Sequence, residues 1–254
     1  MFAVLPVRTP TVPPATHTNC YRLGRVVIDP ASPWPDEQAR LAEWLGDGVD
    51  AVLLTHHHGD HVGGVVDLVA RTGAKVYAHA DARLPFPVDG RLADGDVFDT
   101  GAGLLRCLHT PGHADGHLCF RHEETGDVVA GDMVAGVGTI VLIEPEGHLA
   151  TYLASLARLV ALGGALLPAH GPAIPDGPAL ARQYIAHRHA RTEQVLAALA
   201  DGPLDPVGVA RTVYAGLPGV DPGLAAVQVR THLTWLVEQG RVRRRDGVYE
   251  RERA

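Results

Sequence analysis

Cysteine is scarce in this chain, and long apolar runs are missing. Only 3 of the 254 residues are cysteine, and no CxxC spacing occurs, which excludes a disulfide framework and a cysteine-rich zinc module. We therefore expect reduced, buried thiols. No apolar run approaches the roughly 18 residues that span a bilayer, and the N-terminus lacks the basic start and apolar core of a signal peptide. We expect a soluble, cytoplasmic protein with no membrane partner.

An excess of positive charge is also absent. The formal net charge is −7, which argues against a chain whose main task is to bind nucleic-acid backbones. Hydrophobic residues make up 46% and charged residues 20% of the chain, so the sequence can form a packed core. Histidine is the exception to this ordinary composition, with 15 copies.

Strand and helix patterns alternate through the first two thirds of the sequence. Two short apolar runs flank Gly24-Arg25 and predict a β-hairpin. Helices are predicted near 38–46, 65–70 and 149–162, and strands near 49–55, 75–78, 103–108, 118–122, 127–130 and 165–167. This alternation predicts the α/β class, with sheets packed together and helices outside them.

A segment rich in proline and glycine, residues 172–178, predicts the end of the first domain. We therefore divide the chain into a catalytic domain, residues 1–178, and a second unit, residues 179–254. The second unit begins with a helix over about 179–200. Further helices are predicted at 206–215 and 222–239, and Asp246-Gly247 predicts a hairpin between 241–245 and 248–252. Helix, helix and hairpin in this order outline a winged helix.

A histidine cluster follows the strand predicted at 49–55. It reads Thr55-His56-His57-His58-Gly59-Asp60-His61. Zinc binds imidazole nitrogens and carboxylate oxygens that converge on one point, and glycine lets the backbone turn sharply there. In an extended segment His56 and His58 point the same way, while His57 points elsewhere. We therefore expect ligands at His56, His58, Asp60 and His61.

This HxHxDH motif resembles the hallmark of the metallo-β-lactamase superfamily, and the resemblance covers about residues 15–175. Further motifs of that family match in order: Thr110-Pro-Gly-His113, Ala130-Gly-Asp132, Pro168-Ala-His170-Gly171 and the early Asp29. The resemblance implies a four-layer αββα sandwich. It also implies a metal-dependent hydrolase that uses a metal-bridged hydroxide.

The family resemblance also implies a role for each matching residue. His56, His58 and His113 would hold the first metal ion, Asp60, His61 and His170 would hold the second, and Asp132 would bridge them. Two Zn(II) ions are expected, with iron or manganese as alternatives. Asp60 would also orient the attacking water and so act in catalysis.

Four residues are predicted to act behind the ligands or on the substrate. They are Asp29, His117, Tyr184 and Arg188. His117 resembles a histidine of thioesterase-like members and is expected to support the ligands. Two kinds of role remain open for Arg188: an electropositive rim for an anionic substrate, or a structural role on a solvated helix face or in ion pairs between domains.

The C-terminal third resembles one group of the superfamily that carries a winged helix. The resemblance rests on Gly138-Thr-Ile, Tyr152-Leu-Ala-Ser-Leu, His170-Gly-Pro, Tyr184-Ile-Ala-His-Arg188 and the winged-helix outline. Members of that group include mitochondrial endoribonucleases and glyoxalase II-like thioesterases. Three functions follow as hypotheses: hydrolysis of a thioester or ester of an anionic small molecule, cleavage of single-stranded RNA, and nucleic-acid-binding regulation. The oligomeric state stays open, a homodimer included.

Overall fold

Two β-sheets face each other in the first two thirds of the molecule. The computed structural model of the protein describes residues 1–46 and 48–252, so residues 253–254 of the predicted second unit lie outside it. In spatial order the first sheet contains β1 (Ala3–Arg8), β2 (His17–Leu23), β3 (Val26–Ile28), β4 (Ala51–Leu53), β5 (Lys75–His79) and β6 (Gly90–Leu92). The second contains β7 (Val97–Asp99), β8 (Leu104–His109), β9 (Leu118–His122), β10 (Val128–Gly131) and β11 (Leu166–Pro168).

The first sheet is mixed. Strands β1, β2 and β3 pair antiparallel, and the hairpin predicted at Gly24-Arg25 is confirmed by the pairing of Leu23 with Val26. From β3 to β6 the strands run parallel. Every residue of β3 and β4 is buried, because parallel strands of this kind are covered on both faces and therefore read as continuous apolar runs.

Helices cover the outer face of each sheet. The helices of the described residues are α1 (Pro35–Leu45), α2 (Gly59–Val62), α3 (Val65–Thr72), α4 (Leu149–Leu162), α5 (Gly177–Ala197), α6 (Pro206–Val213) and α7 (Pro222–Glu238). Helices α1 and α3 lie on the first sheet and α4 and the start of α5 on the second, whereas α6 and α7 belong to the C-terminal part. Leu41 of α1 and Leu68 of α3 pack on the first sheet, and Leu156 of α4 packs on the second. Leu53 and Phe120 meet in the core between the sheets. The layers therefore run helix, sheet, sheet, helix, as expected.

The C-terminal part has a core of its own. Val195, Val209, Val229 and Tyr249 belong to it, and they come from α5, α6, α7 and the hairpin of β12 (Val242–Arg245) and β13 (Val248–Arg251). The side chains of Asp205 and Asp221 accept hydrogen bonds from the first turns of α6 and α7, and each is followed by proline. The predicted helices and hairpin are present. No described helix is long and apolar enough to cross a membrane.

The loops that follow four strands meet at one edge of the sandwich. The loop after β4 carries His56, and the loop after β8 carries His113. Asp132 directly follows β10, and His170 comes two residues after β11. Strands β10 and β11 run parallel, so their carboxyl ends lie side by side. Residues that are far apart in the sequence are thereby brought to a common site.

Candidate metal centre

Three imidazoles converge at the edge of the sandwich. The Nδ1 atom of His58 lies 3.0 Å from His56 Nε2 and 3.0 Å from His113 Nε2. The three ring planes are nearly perpendicular to one another, with interplanar angles of 81°, 86° and 84°. Three mutually perpendicular planes intersect at one point. Because the lone pair of each ring nitrogen lies in its ring plane, all three lone pairs are able to reach one cation.

Hydrogen bonding does not account for these contacts. The Nδ1 atom of His58 carries either one proton or one lone pair and so suits one hydrogen bond, yet it lies 3.0 Å from two other ring nitrogens. Zinc–nitrogen bonds of about 2.0–2.1 Å place the ligand atoms of a tetrahedral site about 3.3 Å apart. The observed spacing is close to that value. The three histidines therefore fit a divalent metal ion.

A second group lies beside the first. It consists of Asp60, His61 and His170, whose potential ligand atoms lie within 4.8 Å of one another. The His170 Nε2 atom is 3.7 Å from Asp60 Oδ2, and the ring of His170 is inclined by 82° to that of His61. These side chains supply the nitrogen and oxygen donors that a second divalent ion accepts.

Asp132 lies between the two groups and turns one oxygen toward each. Its Oδ2 atom is 3.4 Å from His113 Nε2. Its Oδ1 atom is 3.6 Å from His61 Nε2 and 3.4 Å from His170 Nε2. Both Asp132 Oδ1 and His61 Nε2 are buried without a hydrogen-bond partner among the described residues. Since unpaired buried polar atoms are costly, this pair of atoms is a second observation that fits a bound cation.

Outer hydrogen bonds fix the orientation of the histidine rings. His61 Nδ1 donates to Asp29 Oδ2 at 2.8 Å, and Asp29 also accepts from Thr55. His113 Nδ1 donates to the carbonyl oxygen of Val141 at 2.9 Å, and His170 Nδ1 donates to that of His17 at 2.9 Å. Each bond places the proton on Nδ1 and leaves Nε2 free as a ligand atom, as in known metal sites.

His117 supports Asp132 from behind. It is completely buried, and its Nε2 atom accepts a hydrogen bond of 3.2 Å from the backbone nitrogen of Asp132. Gly131 has a φ of +49°, and a Cβ atom at this position would lie 2.6 Å from His117 Nε2. Only glycine therefore allows β10 to end against this ring. Gly131, Asp132 and His117 therefore form one local arrangement, in which the buried ring of His117 lies against the end of β10.

Burial and charge set the protonation of the site. Burial and, to a smaller extent, the imidazole of His113 lower the pKa of His58 to about 3. Burial also lowers the pKa of His61, but the carboxylates of Asp132 and Asp29 outweigh it and raise this pKa well above its usual value. For Asp132 burial raises the pKa, and the nearby histidines, His61 first, reverse the shift and lower it strongly. The three-histidine group thus holds neutral imidazoles, the form that binds metals.

His57 lies outside the three-histidine group and faces a carboxylate. Its Nε2 atom lies 3.1 Å from Glu146 Oε2, and the other Glu146 oxygen is 3.6 Å from Arg83. Glu146 was not among the predicted site residues. Its position on a loop about 90 residues after the histidine motif gives no local signal that it meets His57.

A pocket of about 120 Å³ opens onto the candidate metal centre. Thr11, Val12, Ala15 and residues 137–141 and 143 line it, together with His58, Asp60, His113, Asp132 and His170. Apart from the candidate metal ligands, most residues of the lining are apolar. Among the described residues no lysine or arginine belongs to it. These wall residues were not predicted from the sequence, because valine and isoleucine in loops resemble ordinary core residues.

Tyr184 and Arg188 lie outside this pocket. The hydroxyl of Tyr184 contacts the backbone of Ala135 and accepts a hydrogen bond of 3.1 Å from its nitrogen. Arg188 is 5% exposed and donates to the carbonyl oxygen of Ile140 and to Gln228. Neither an exposed electropositive rim nor a solvated helix face describes Arg188, because the packing of α5 against α7 buries it.

The chain is similar in sequence to a known family and to proteins of two fungi. A family model described as Metallo-beta-lactamase superfamily matches residues 13–171. The lactamase-like protein vrtG of Penicillium aethiopicum is 35% identical over 243 residues, which cover 88% of this chain and 76% of that protein. The thioesterase pkgB of Emericella nidulans is 38% identical over 192 residues, which cover 72% of this chain but only 54% of that protein.

Solved structures match nearly the whole chain, and one of them also matches over nearly its own full length. It is a metallo-beta-lactamase family protein from Thermus thermophilus, with a TM-score of 0.84 and 26% sequence identity. The match covers 99% of this chain and 98% of that one. It therefore includes the C-terminal helices and hairpin as well as the sandwich.

Proposed function

Because the chain belongs to the metallo-beta-lactamase superfamily, we propose that it is a binuclear metal-dependent hydrolase that cleaves thioesters of small, apolar acyl groups. Two zinc ions are proposed, because the donors are imidazoles and carboxylates. The observation that carries the binuclear interpretation is Asp132, whose two oxygens face two separate groups of ligand atoms. A cytoplasmic location is part of the proposal.

Bound divalent cations supply a water molecule of lowered pKa and a Lewis acid for the acyl carbonyl. The residues of this chain do the remaining work. Asp60 lines the pocket beside His170, where it would orient the attacking water and accept its proton. His117 and Asp29 hold Asp132 and His61 in place, which keeps the donors preorganised.

The pocket supports the proposal that an apolar acyl group is the part of the substrate that enters it. Its volume of about 120 Å³ is below the about 300–1,000 Å³ of usual ligand pockets, so it suits a short chain rather than a nucleotide. Val12, Val137 and Ile143 are exposed at its wall, and apolar side chains there exclude water from the reacting carbonyl. The anionic leaving group would remain outside.

The thioesterase pkgB supports the thioester in particular. Its name gives an activity for that protein alone, and the identity of 38% over 72% of this chain makes the same bond a reasonable first test. This chain spans only 54% of that relative, so the acyl group is argued from the pocket.

Cleavage of single-stranded RNA is the alternative, and one feature favours it. Arg243, Arg244 and Arg245 of β12 are exposed, and α6, α7 and the β12–β13 hairpin have the outline of a winged helix. Such a patch is able to bind phosphates. However, Arg243 is paired with Glu250 at 2.8 Å, and the net charge is −7. Regulation by nucleic-acid binding alone leaves the metal centre unexplained.

The test uses zinc-loaded protein and two substrate panels. Coenzyme A thioesters from acetyl to octanoyl are followed by thiol release, and labelled single-stranded RNA is followed on gels. We expect thioester hydrolysis that is strongest for short apolar chains and falls by more than about a hundredfold in Asp60→Ala. Glu43→Ala, which changes an exposed carboxylate on α1, is the matched control. RNA cleavage lost in Asp60→Ala, without thioester hydrolysis, would contradict the proposal.

A further inference from the structure

Three consecutive carbonyl groups, two of them in residues that line the pocket, are held by side chains. The wall segment is Ile140–Leu142. The oxygen of Val141 accepts the hydrogen bond from His113 Nδ1. The oxygen of Ile140 accepts from Arg188 Nη2 at 2.5 Å, and that of Leu142 accepts from Gln228 at 3.0 Å and from Thr231 at 3.1 Å.

The wall segment therefore joins the C-terminal helices to a candidate metal ligand. Arg188 lies on α5, and Gln228 and Thr231 lie on α7. Their bonds fix the carbonyls on both sides of Val141, whose own carbonyl orients His113. A shift of the wall segment would move or lose that bond. His113 would then be free to rotate or to change its tautomer.

The burial of the Arg188 guanidinium costs free energy. It is 5% exposed, and its guanidinium donates to Gln228 and Ile140, two neutral acceptors, rather than to a carboxylate. It also rests over the ring of Tyr152, 5.4 Å from the ring centre. Burial of a guanidinium without a carboxylate is unfavourable. The neutral acceptors and the aromatic face must offset it, so the position of the guanidinium is tied to the Ile140 carbonyl.

We propose that Arg188 is a positioning residue that holds the wall segment so that Val141 keeps His113 aligned for metal binding. The C-terminal helices are, in this view, part of the metal centre. The inference rests on the proposed metal-dependent function. Its test measures zinc affinity and therefore needs no substrate.

The test compares Arg188→Met, Arg188→Lys and Arg182→Met in zinc competition with a chelator. Met keeps the apolar stem but donates no hydrogen bond, whereas Lys keeps one donor for the Ile140 carbonyl. Arg182 is exposed on the same helix and serves as the control. We expect Arg188→Met to weaken zinc binding about 10-fold, within the range for lost outer partners of ligands, and Arg188→Lys to recover part of it. Cobalt-loaded protein should show altered d–d bands in Arg188→Met but not in Arg182→Met.

A folded Arg188→Met protein with the zinc affinity and cobalt spectrum of Arg182→Met would overturn the proposal. Should Arg188→Met fail to fold, the double variant Gln228→Met with Thr231→Val decides by the same measure, since it frees the Leu142 carbonyl and removes the Gln228 acceptor that holds the Arg188 guanidinium. Failure of the proposed function looks different: zinc affinity falls as expected in the variants, while the wild-type protein hydrolyses no thioester.

Discussion

Two of the groups of potential metal ligands in this protein each contain at least two histidines and differ in geometry. His56, His58 and His113 form one, and His79, His109 and Asp81 form the other. In each, the potential ligand atoms lie within 4.8 Å of one another. The rings of the first cluster are inclined to one another by 81°, 86° and 84°. Those of His79 and His109 are stacked, with centres 4.1 Å apart and planes only 9° from parallel.

The difference shows that closeness alone does not make a metal site. A cation must lie in the plane of each imidazole that binds it, because the lone pair of the nitrogen lies there. Two stacked, parallel planes do not intersect near the rings, so His79 and His109 cannot share an ion in this arrangement. Both are the last residues of strands, β5 and β8, and pack face to face. The ligand loops instead turn their rings toward a common point.

Loss of a converging ring should have the largest effect. In His113→Ala the three-histidine group keeps only two rings, so we expect the first zinc to be lost and thioester hydrolysis to fall by more than about a hundredfold, beyond the roughly 10–100-fold typical of outer partners. Elemental analysis and thiol release measure this. His189→Ala, which removes an exposed histidine on α5, should retain both zinc and activity. Full zinc content in His113→Ala would contradict the convergence argument.

Loss of an outer partner should have an intermediate effect. Asp29→Asn keeps the shape of a residue with φ of +52°, a conformation that asparagine also tolerates, but it no longer offers a charged acceptor to His61. We expect zinc affinity at the group of Asp60, His61 and His170 to fall about 10–100-fold, measured by chelator competition. Asp201→Asn, at an exposed site, is the control. Equal affinities for the two variants would refute the role of Asp29.

The pKa of His109 should distinguish the two clusters without any substitution. Burial and the imidazole of His79 lower the pKa of His109 below 6.5. The unfolded chain therefore binds this proton more readily, so the contribution of His109 to stability is lost as the pH falls below 6.5. NMR should show the same lowered pKa with and without zinc, whereas the His113 signals change when zinc is added. A zinc-dependent His109 titration would mean that the stacked pair binds metal.

Removal of the stacked pair should have the smallest effect on the metal centre. The double variant His79→Ala with His109→Ala is expected to bind two zinc ions per chain and to hydrolyse thioesters within about twofold of wild type, since neither ring lines the pocket. If the wild-type protein bound a third zinc ion and this variant lost it, the stacked pair would be a metal site, which would contradict the comparison.

Sequence patterns predicted most of the sandwich, and the strands they missed share one property. Strands β1, β6 and β7 were not predicted, and all three are edge strands of their sheets. Each of these three strands contains exposed residues and lacks the continuous apolar run of buried strands such as β3 and β4. The edge strand β11 is mostly buried and was predicted. The hairpin at Gly24-Arg25, α4 and the C-terminal helices carry local turn and capping signals and were predicted.

The sequence by itself determined which donor types are present and in what order they follow strand ends, because those features are local. Tertiary structure alone decided that the rings of His58 and His113 stand at right angles, that the two oxygens of Asp132 face different groups, and that Arg188 is buried. These properties depend on contacts between residues far apart in the chain, such as Arg188 with Ile140, which are 48 positions apart. Residue order does not encode the direction of a ring plane; the packing of the strands and helices behind it does.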